Sequence, residues 1–278
     1  VSGSSEGGPE AGGIRVEREG AGGAVPRVTI ARPRVRNALD AGAIAALRAA
    51  FQGFAEEAPS GLRAVVLAGE GRVFCAGADL GWMRAALDAT PEANEADALG
   101  LASMYAAIDS CPVPVIARVQ GAALGGGAGL CAVVDVTIAE GSAWFSFPEA
   151  RLGLIPATIA PFVVARVGEG HARALFATGR RFGAAEALRI GLVHEVAEGP
   201  DALDRAVEAA VADVLASGPE ATRAAKQLIR DLRGADPATA AERTARALAI
   251  RRASAEGAEG LRAIEERRSP SWVARSTG

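Results

Sequence analysis

The chain has 278 residues, half of them apolar and only 4% aromatic, so its core must be built from Ala, Val, Leu and Ile. Its net charge of −3, with one lysine, gives no electrostatic case for nucleic acid, and no apolar run reaches the roughly 18 residues that span a membrane. Three cysteines in apolar settings, Cys75, Cys111 and Cys131, fit no metal spacing and read as free thiols of a reducing compartment, so a soluble cytoplasmic protein is expected.

Residues 1–13, rich in Gly, Ser and Glu, are expected to be a disordered tail. Ile14–Glu19 and Val25–Ile30 read as strands of a hairpin turning through Gly20–Gly23. Arg32–Asn37 reads as a loop, and Asp40 as the cap of a helix to about Glu57. Ala64–Ala68 is an apolar strand. It leads into the small-residue turn Phe74-Cys-Ala-Gly-Ala-Asp-Leu80 and a short helix through Trp82 and Met83. Thr90-Pro91 is a cap followed by proline at the first helical position, so a helix should run to about Asp109, before Pro112.

The most informative stretch follows. Val115–Val119 is an apolar strand, Gly121 a turn, and Gly125, Gly126 and Gly127 a glycine cluster opening a small-residue segment that can continue as a helix. Glycines there let something approach the backbone closely. The first amides of a helix lack internal partners and carry partial positive charge. The junction is thus a donor site for an anion or a developing oxyanion, or simply a tight packing turn. Leu130 in the sixth position excludes the dinucleotide fingerprint.

Beyond it, Val134–Ala139 and Trp144–Phe147 read as strands, Pro148–Pro156 as a loop, and 157–167 and 170–178 as two helices. Ala184–Arg189 is a helix stopped by Gly191, and His194–Val196 a short strand. The remainder reads as four helices: 201–216, 219–232, 237–255 and 257–267. Strand–helix alternation to residue 196 followed by helices alone implies an α/β core, 14–196, and a helical region, 197–278. Leu248, Ile250, Leu261 and Ile264 are too few for a separate core and point to a subunit interface. His171 and His194 have no Ser or Cys partner at triad spacing, so neither reads as catalytic. Trp82 and Tyr105 read as core, with pocket lining as the alternative.

Five segments recur in the order and spacing of one family. They are Arg32-Pro33 with Asn37-Ala38-Leu39, Phe74–Leu80, Gln120–Gly127, Phe147–Pro156 and Glu186–Val193. Over roughly Ile14 to Trp272 the chain resembles the enoyl-CoA hydratase/isomerase, or crotonase, superfamily. The resemblance implies a spiral of ββα units, C-terminal helices that build trimers or dimers of trimers, and a coenzyme A thioester as substrate with no further cofactor. It also implies that the amides of Ala78 and Gly126 hold the thioester oxygen, and that Glu149 is the acid/base. Arg36, Ala38, Ala76, Ala78, Asp79, Leu80 and Gly126 fall in the segments that meet CoA and substrate. The reading of Asp79 from the residues is a helix cap. Arg36 and the pair Arg267-Arg268 resemble CoA-phosphate contacts, but the default for such charges is solvated surface.

Hydratases of this family use a second glutamate, and its position here is Gly129. Three accounts follow: Glu149 handles both proton transfers of hydration; the reaction is Δ3,Δ2-enoyl-CoA isomerisation, which one carboxylate performs; or the substrate fills the space vacated at Gly129. Branches with an aspartate eight residues beyond the Glu149 position are disfavoured, because Ala157 stands there. Gly77–Met83, Gly153–Pro161 and Ala255–Leu261 resemble bacterial methylglutaconyl-CoA hydratases, whose substrate carries its own carboxylate. Hydration is therefore the lead expectation and isomerisation the second. A non-catalytic acyl-CoA binder is the third, kept open by the missing glutamate.

Overall fold

Runs of valine and isoleucine set the sheet. The computed structural model describes residues 12–18 and 23–273. Its main sheet has six strands: β1 (Ile14–Arg18), β2 (Pro26–Ile30), β3 (Val65–Gly69), β4 (Val115–Val119), β6 (Val136–Glu140) and β9 (Glu195–Ala197), in the spatial order β1-β2-β3-β4-β6-β9. All pairs are parallel except the β1–β2 hairpin. β3 is buried along its whole length. Such a parallel strand is covered on both faces, which is why it reads as an unbroken apolar run.

A second, smaller sheet joins β5 (Ala122–Leu124), β7 (Trp144–Ser146) and β8 (Phe182–Gly183) in the order β5-β7-β8. Parallel bridges Leu39–Ala78 and Cys75–Ala123 extend this line of pairings toward the N-terminus. After β2, β3, β4 and β6 the chain crosses to this second line and then enters a helix. These helices are α1 (Ala41–Glu57), the pair α2 (Leu80–Ala85) and α3 (Pro91–Ser110), α4 (Gly126–Val133) and α5 (Ala160–Thr178). The result is the expected α/β spiral of ββα turns. Each crossing stacks on the next, so residues far apart in sequence meet there.

Helix starts follow their capping chemistry. Asp40 accepts from the Ala43 amide, Thr90 from Ala93, and proline occupies the first helical turn of α3. The two helices expected over 157–178 are segments of α5 joined end to end, because the backbone leaves helical geometry at Gly168 (φ 78°, ψ 157°). β6 starts two residues later than expected, since Val134 ends α4 in extended geometry. The two-residue β8 is too short for any periodicity to reveal.

The helix expected before Gly191 is α6 (Ala184–Arg189), and the expected helical remainder comprises α7 (Pro200–Ala216), α8 (Pro219–Asp231), α9 (Pro237–Arg252) and α10 (Ala255–Glu265). Leu203 and Val207 of α7 join Val66, Ile116 and Ile138 in a minor core on one face of the main sheet. The major core lies on the other face, among α1, α3, α4 and α5. The expected disordered tail and the hairpin turn fall almost wholly outside the described residues.

Candidate active site

Two small-residue turns meet at the centre of the molecule. Gly77 (φ 88°) and Gly125 (φ 49°) both take the left-handed backbone that only glycine adopts without strain. A Cβ on Gly77 would lie 2.7 Å from the Leu124 carbonyl oxygen and 3.5 Å from the Gly126 nitrogen. The turns are locked by backbone bonds. Leu124 donates to the Cys75 carbonyl (3.0 Å), Leu39 to Gly77 (2.7 Å) and Asp79 to Leu39 (2.9 Å). Gly126 is the first residue of α4, so its amide has no partner within the helix. Among the described residues the amides of Ala78 and Gly126 make no hydrogen bond.

Glu149 opens a 3-10 turn, Glu149–Leu152, directly after β7. The Oε1 atom lies 2.9 Å from the place a Cβ on Gly125 would occupy, so the carboxyl packs against the glycine cluster. Its Oε2 is buried and has no hydrogen-bond partner among the described residues. Burial raises the pKa of this carboxyl above the ordinary carboxylate value, partly offset by a backbone hydrogen bond. A carboxyl that holds its proton to higher pH is suited to take and return protons near neutrality.

The space adjoining Gly129 is not vacated. A Cβ there would stand 2.3 Å from Ile159 Cγ2 and 3.3 Å from the Tyr105 hydroxyl. Ile159 is 2% exposed and Tyr105 is fully buried. An isoleucine methyl and a phenol thus adjoin the position where the family's second carboxylate would begin. Among the described residues no other carboxylate or cation contributes to the shift at Glu149.

The remaining site candidates divide into three groups. Ala38, Ala76, Ala78 and Asp79 lie side by side, because residues 36–39 are stitched to 76–79 by backbone bonds, including Ala76 to the Arg36 carbonyl (3.0 Å). Asp79 is the cap of α2, accepting from Gly81 and Trp82, and its carboxylate lies 3.9 Å from Arg32. Arg36 is exposed and Leu80 is 72% exposed. Arg268, by contrast, is engaged by Glu259 and Glu266, both at 2.6 Å, which ties it into the end of the helical region.

Neither histidine joins this group. His194 accepts from the Thr137 amide (2.9 Å) beside Arg166, and burial, then that arginine, lowers its affinity for a proton. His171 lies in the second segment of α5. Burial pushes the Cys75 thiol up to about 12, so this cysteine next to the turn is inert at neutral pH. A cleft of about 290 Å³ between the end of α3 and α8 holds none of these residues.

The contacts of four supporting residues escaped the sequence reading. Asn37 is buried and donates to the carbonyls of Glu70 (2.9 Å) and Val73 (2.7 Å), while accepting from the Arg32 amide. Gln120 donates to Gly69 and Gly71 (2.7 and 2.9 Å). Tyr105 donates to the Gly126 carbonyl (2.8 Å), and Ile159 faces Gly129. Asn37 and Gln120 stood inside quoted motifs. Ile159 stood inside the quoted segment Gly153–Pro161, and Tyr105 read as core, which its full burial bears out.

The profile of the enoyl-CoA hydratase/isomerase family matches residues 20–275. An enoyl-CoA hydratase of Alternaria alternata is 35% identical over 210 residues, 76% of this chain and 68% of that relative. The structure of Pseudomonas aeruginosa AtuE superposes with a TM-score of 0.90 at 36% identity, covering 94% of this chain and 100% of its own. A crystal structure of an enoyl-CoA hydratase from Shewanella pealeana gives 0.87 at 34% identity, with 94% and 96% covered.

Proposed function

The chain belongs to the enoyl-CoA hydratase/isomerase family, and on that premise we propose that it adds water across the conjugated double bond of a 2-enoyl-CoA thioester. One observation carries this reading: the half-buried Glu149 carboxyl, its Oε2 without a partner among the described residues, packed against the glycine turn that ends in the Gly126 amide. Addition of hydroxide at C3 pushes charge onto the thioester oxygen. The Ala78 and Gly126 amides are the donors for that oxygen, each contributing about 3–4 kcal/mol in such sites. Glu149 takes the proton from water as its oxygen bonds to C3, and the same carboxyl returns a proton to C2. Ala38, Ala76, Asp79, Leu80 and Arg36 line the path of the CoA portion. The chemistry draws on these groups and the thioester itself, and copies of the chain associate through the helical region.

A second reading has its own support. One carboxylate suffices to move a proton between C4 and C2, and Ile159 beside Gly129 leaves Glu149 without a partner acid. That is the arrangement an isomerase needs. The same isoleucine weakens the account in which a substrate carboxylate, as in 3-methylglutaconyl-CoA, enters beside Gly129, although that substrate matches the local wording of the sequence.

The test is to offer crotonyl-, 3-methylglutaconyl- and 3-enoyl-CoA and follow the conjugated thioester absorbance. Hydration removes it, and isomerisation of the 3-enoyl substrate creates it. Glu149→Gln should lower kcat by about 10²–10⁴-fold, the usual weight of a positioned acid/base, with thioester binding retained. Full activity in that variant would refute the mechanism.

A further inference from the structure

Tyr105 is the chain's single tyrosine. It lies on α3, fully buried, with its ring 6.0 Å from that of Phe162 on α5. Its hydroxyl donates to the Gly126 carbonyl at 2.8 Å. A Cβ on Gly126 would come within 2.9 Å of that oxygen, and one on Gly129 within 3.3 Å. These glycines are three residues apart and share one face of α4. The hydroxyl therefore rests in a notch that exists only because both lack a side chain.

The polar atom is not needed to fill the core. A phenylalanine ring would supply the same apolar contacts, and a buried hydroxyl costs free energy unless it is bonded. Nor is it needed to satisfy the backbone, since a carbonyl in the first turn of a helix already has an acceptor role within the helix. What the bond does is fix the opening peptides of α4 against α3, across 21 residues of sequence. One of those peptides carries the Gly126 N–H.

We propose that Tyr105 is a positioning residue of the oxyanion hole: its hydroxyl, bonded to the Gly126 carbonyl and seated between Gly126 and Gly129, sets the direction of the Gly126 N–H. This rests on the reading of Gly126 as a thioester donor. The phenol must stay protonated to donate. Burial, reinforced by Cys75 and Glu149 nearby, holds its pKa well above the ordinary value.

The test compares Tyr105→Phe with the wild-type chain on the thioester that the wild type turns over. Loss of the bond should lower kcat about tenfold with KM changed less than about twofold, the signature of an interaction made only in the transition state. Affinity for acetoacetyl-CoA, whose enolate places charge on the thioester oxygen, should fall in parallel. Affinity for butyryl-CoA, an uncharged ground-state mimic, should hold. Because the chain has one tyrosine, labelling its ζ-carbon gives a single resonance. In the wild type that resonance should move on adding acetoacetyl-CoA and much less on adding butyryl-CoA, a readout that survives even if the variant fails to fold. A variant that keeps kcat and enolate affinity while only melting earlier would reduce Tyr105 to a structural role. A resonance equally indifferent to both thioesters would overturn the proposal too. A wild-type chain that neither binds nor turns over any thioester sinks the functional reading itself, and this inference with it.

Discussion

At the residue scale the site turns on Glu149 and Gly129. Glu149 was legible because a Pro-Glu pair stood in a familiar setting. Its partial burial was not, because the carboxyl packs against a glycine turn more than twenty residues earlier. That burial makes a prediction whose sign can be worked out. A carboxyl whose pKa is raised in the fold binds more protons folded than unfolded, so its contribution to stability is present below the ordinary value of 4.5 and is lost as pH rises through the folded value. Glu149→Gln should therefore melt higher than wild type at neutral pH, with the gain shrinking in acid, by calorimetry across that range. In the wild type, hydration with Glu149 as base should lose kcat/KM as pH falls, on a limb above pH 4.5. Gly129 shows the opposite kind of limit. The sequence displayed a missing carboxylate, yet the reason for glycine is Ile159 Cγ2 at 2.3 Å from the absent Cβ, a contact thirty residues away that no spacing announces. Gly129→Glu alone should lower stability by about 1–3 kcal/mol through overpacking. Combined with Ile159→Ala it should recover part of that loss and raise crotonyl-CoA hydration relative to 3-enoyl-CoA isomerisation. A double variant no better at hydration than Ile159→Ala alone would show that a second carboxylate is not what is missing.

At the element scale, starts of helices were easy to read and the turns that cross between sheets were not. Caps and N-terminal prolines act within four residues, so Asp40, Asp79 and Thr90 announced α1, α2 and α3 from local chemistry alone. The crossings are stitched by side chains reaching across the fold. Asn37, itself in left-handed geometry (φ 57°), spends its amide on two carbonyls of the segment 70–73. It thereby holds the loop carrying Ala38 against the turn carrying Ala76 and Ala78. The sequence showed Asn37 only as a motif letter, since neither its burial nor its distant partners are local properties. Asn37→Ala leaves both carbonyls without that donor and should cost about 2–3 kcal/mol in denaturant unfolding. The loosened loop should also raise KM for the thioester more than it lowers kcat. An unchanged KM with normal stability would mean the two loops hold their places without it.

At the scale of the whole molecule, the spiral core and the helical region obey different logic. The core was legible because parallel strands buried on both faces leave apolar runs such as Val65–Ala68, and alternation with helices orders them. The helical region showed its helices but not what they pack on. α8 and α9 bury no residue fully, and α10 buries only Ala263. Lys226, the chain's single lysine, joins α8 to the sheet through Asp135 (2.6 Å) and the Val113 carbonyl (3.0 Å), a tie invisible in composition. Meanwhile Ile229, Leu248, Ile250, Leu261 and Ile264 are all more than half exposed, Ile264 by 76%. Each such side chain forgoes about 1.5–3 kcal/mol that burial would return. Helices with so little of their own core and so much outward apolar surface are suited to a partner copy, as the sequence resemblance implies. The chain should therefore sediment as a trimer or a dimer of trimers at micromolar concentration. Ile264→Asp, which places a charge in that surface without touching the core, should shift it to smaller species while circular dichroism stays unchanged. A wild-type chain that sediments as a monomer would mean these helices stand in solvent as they are, and the interface reading of the helical region would be wrong.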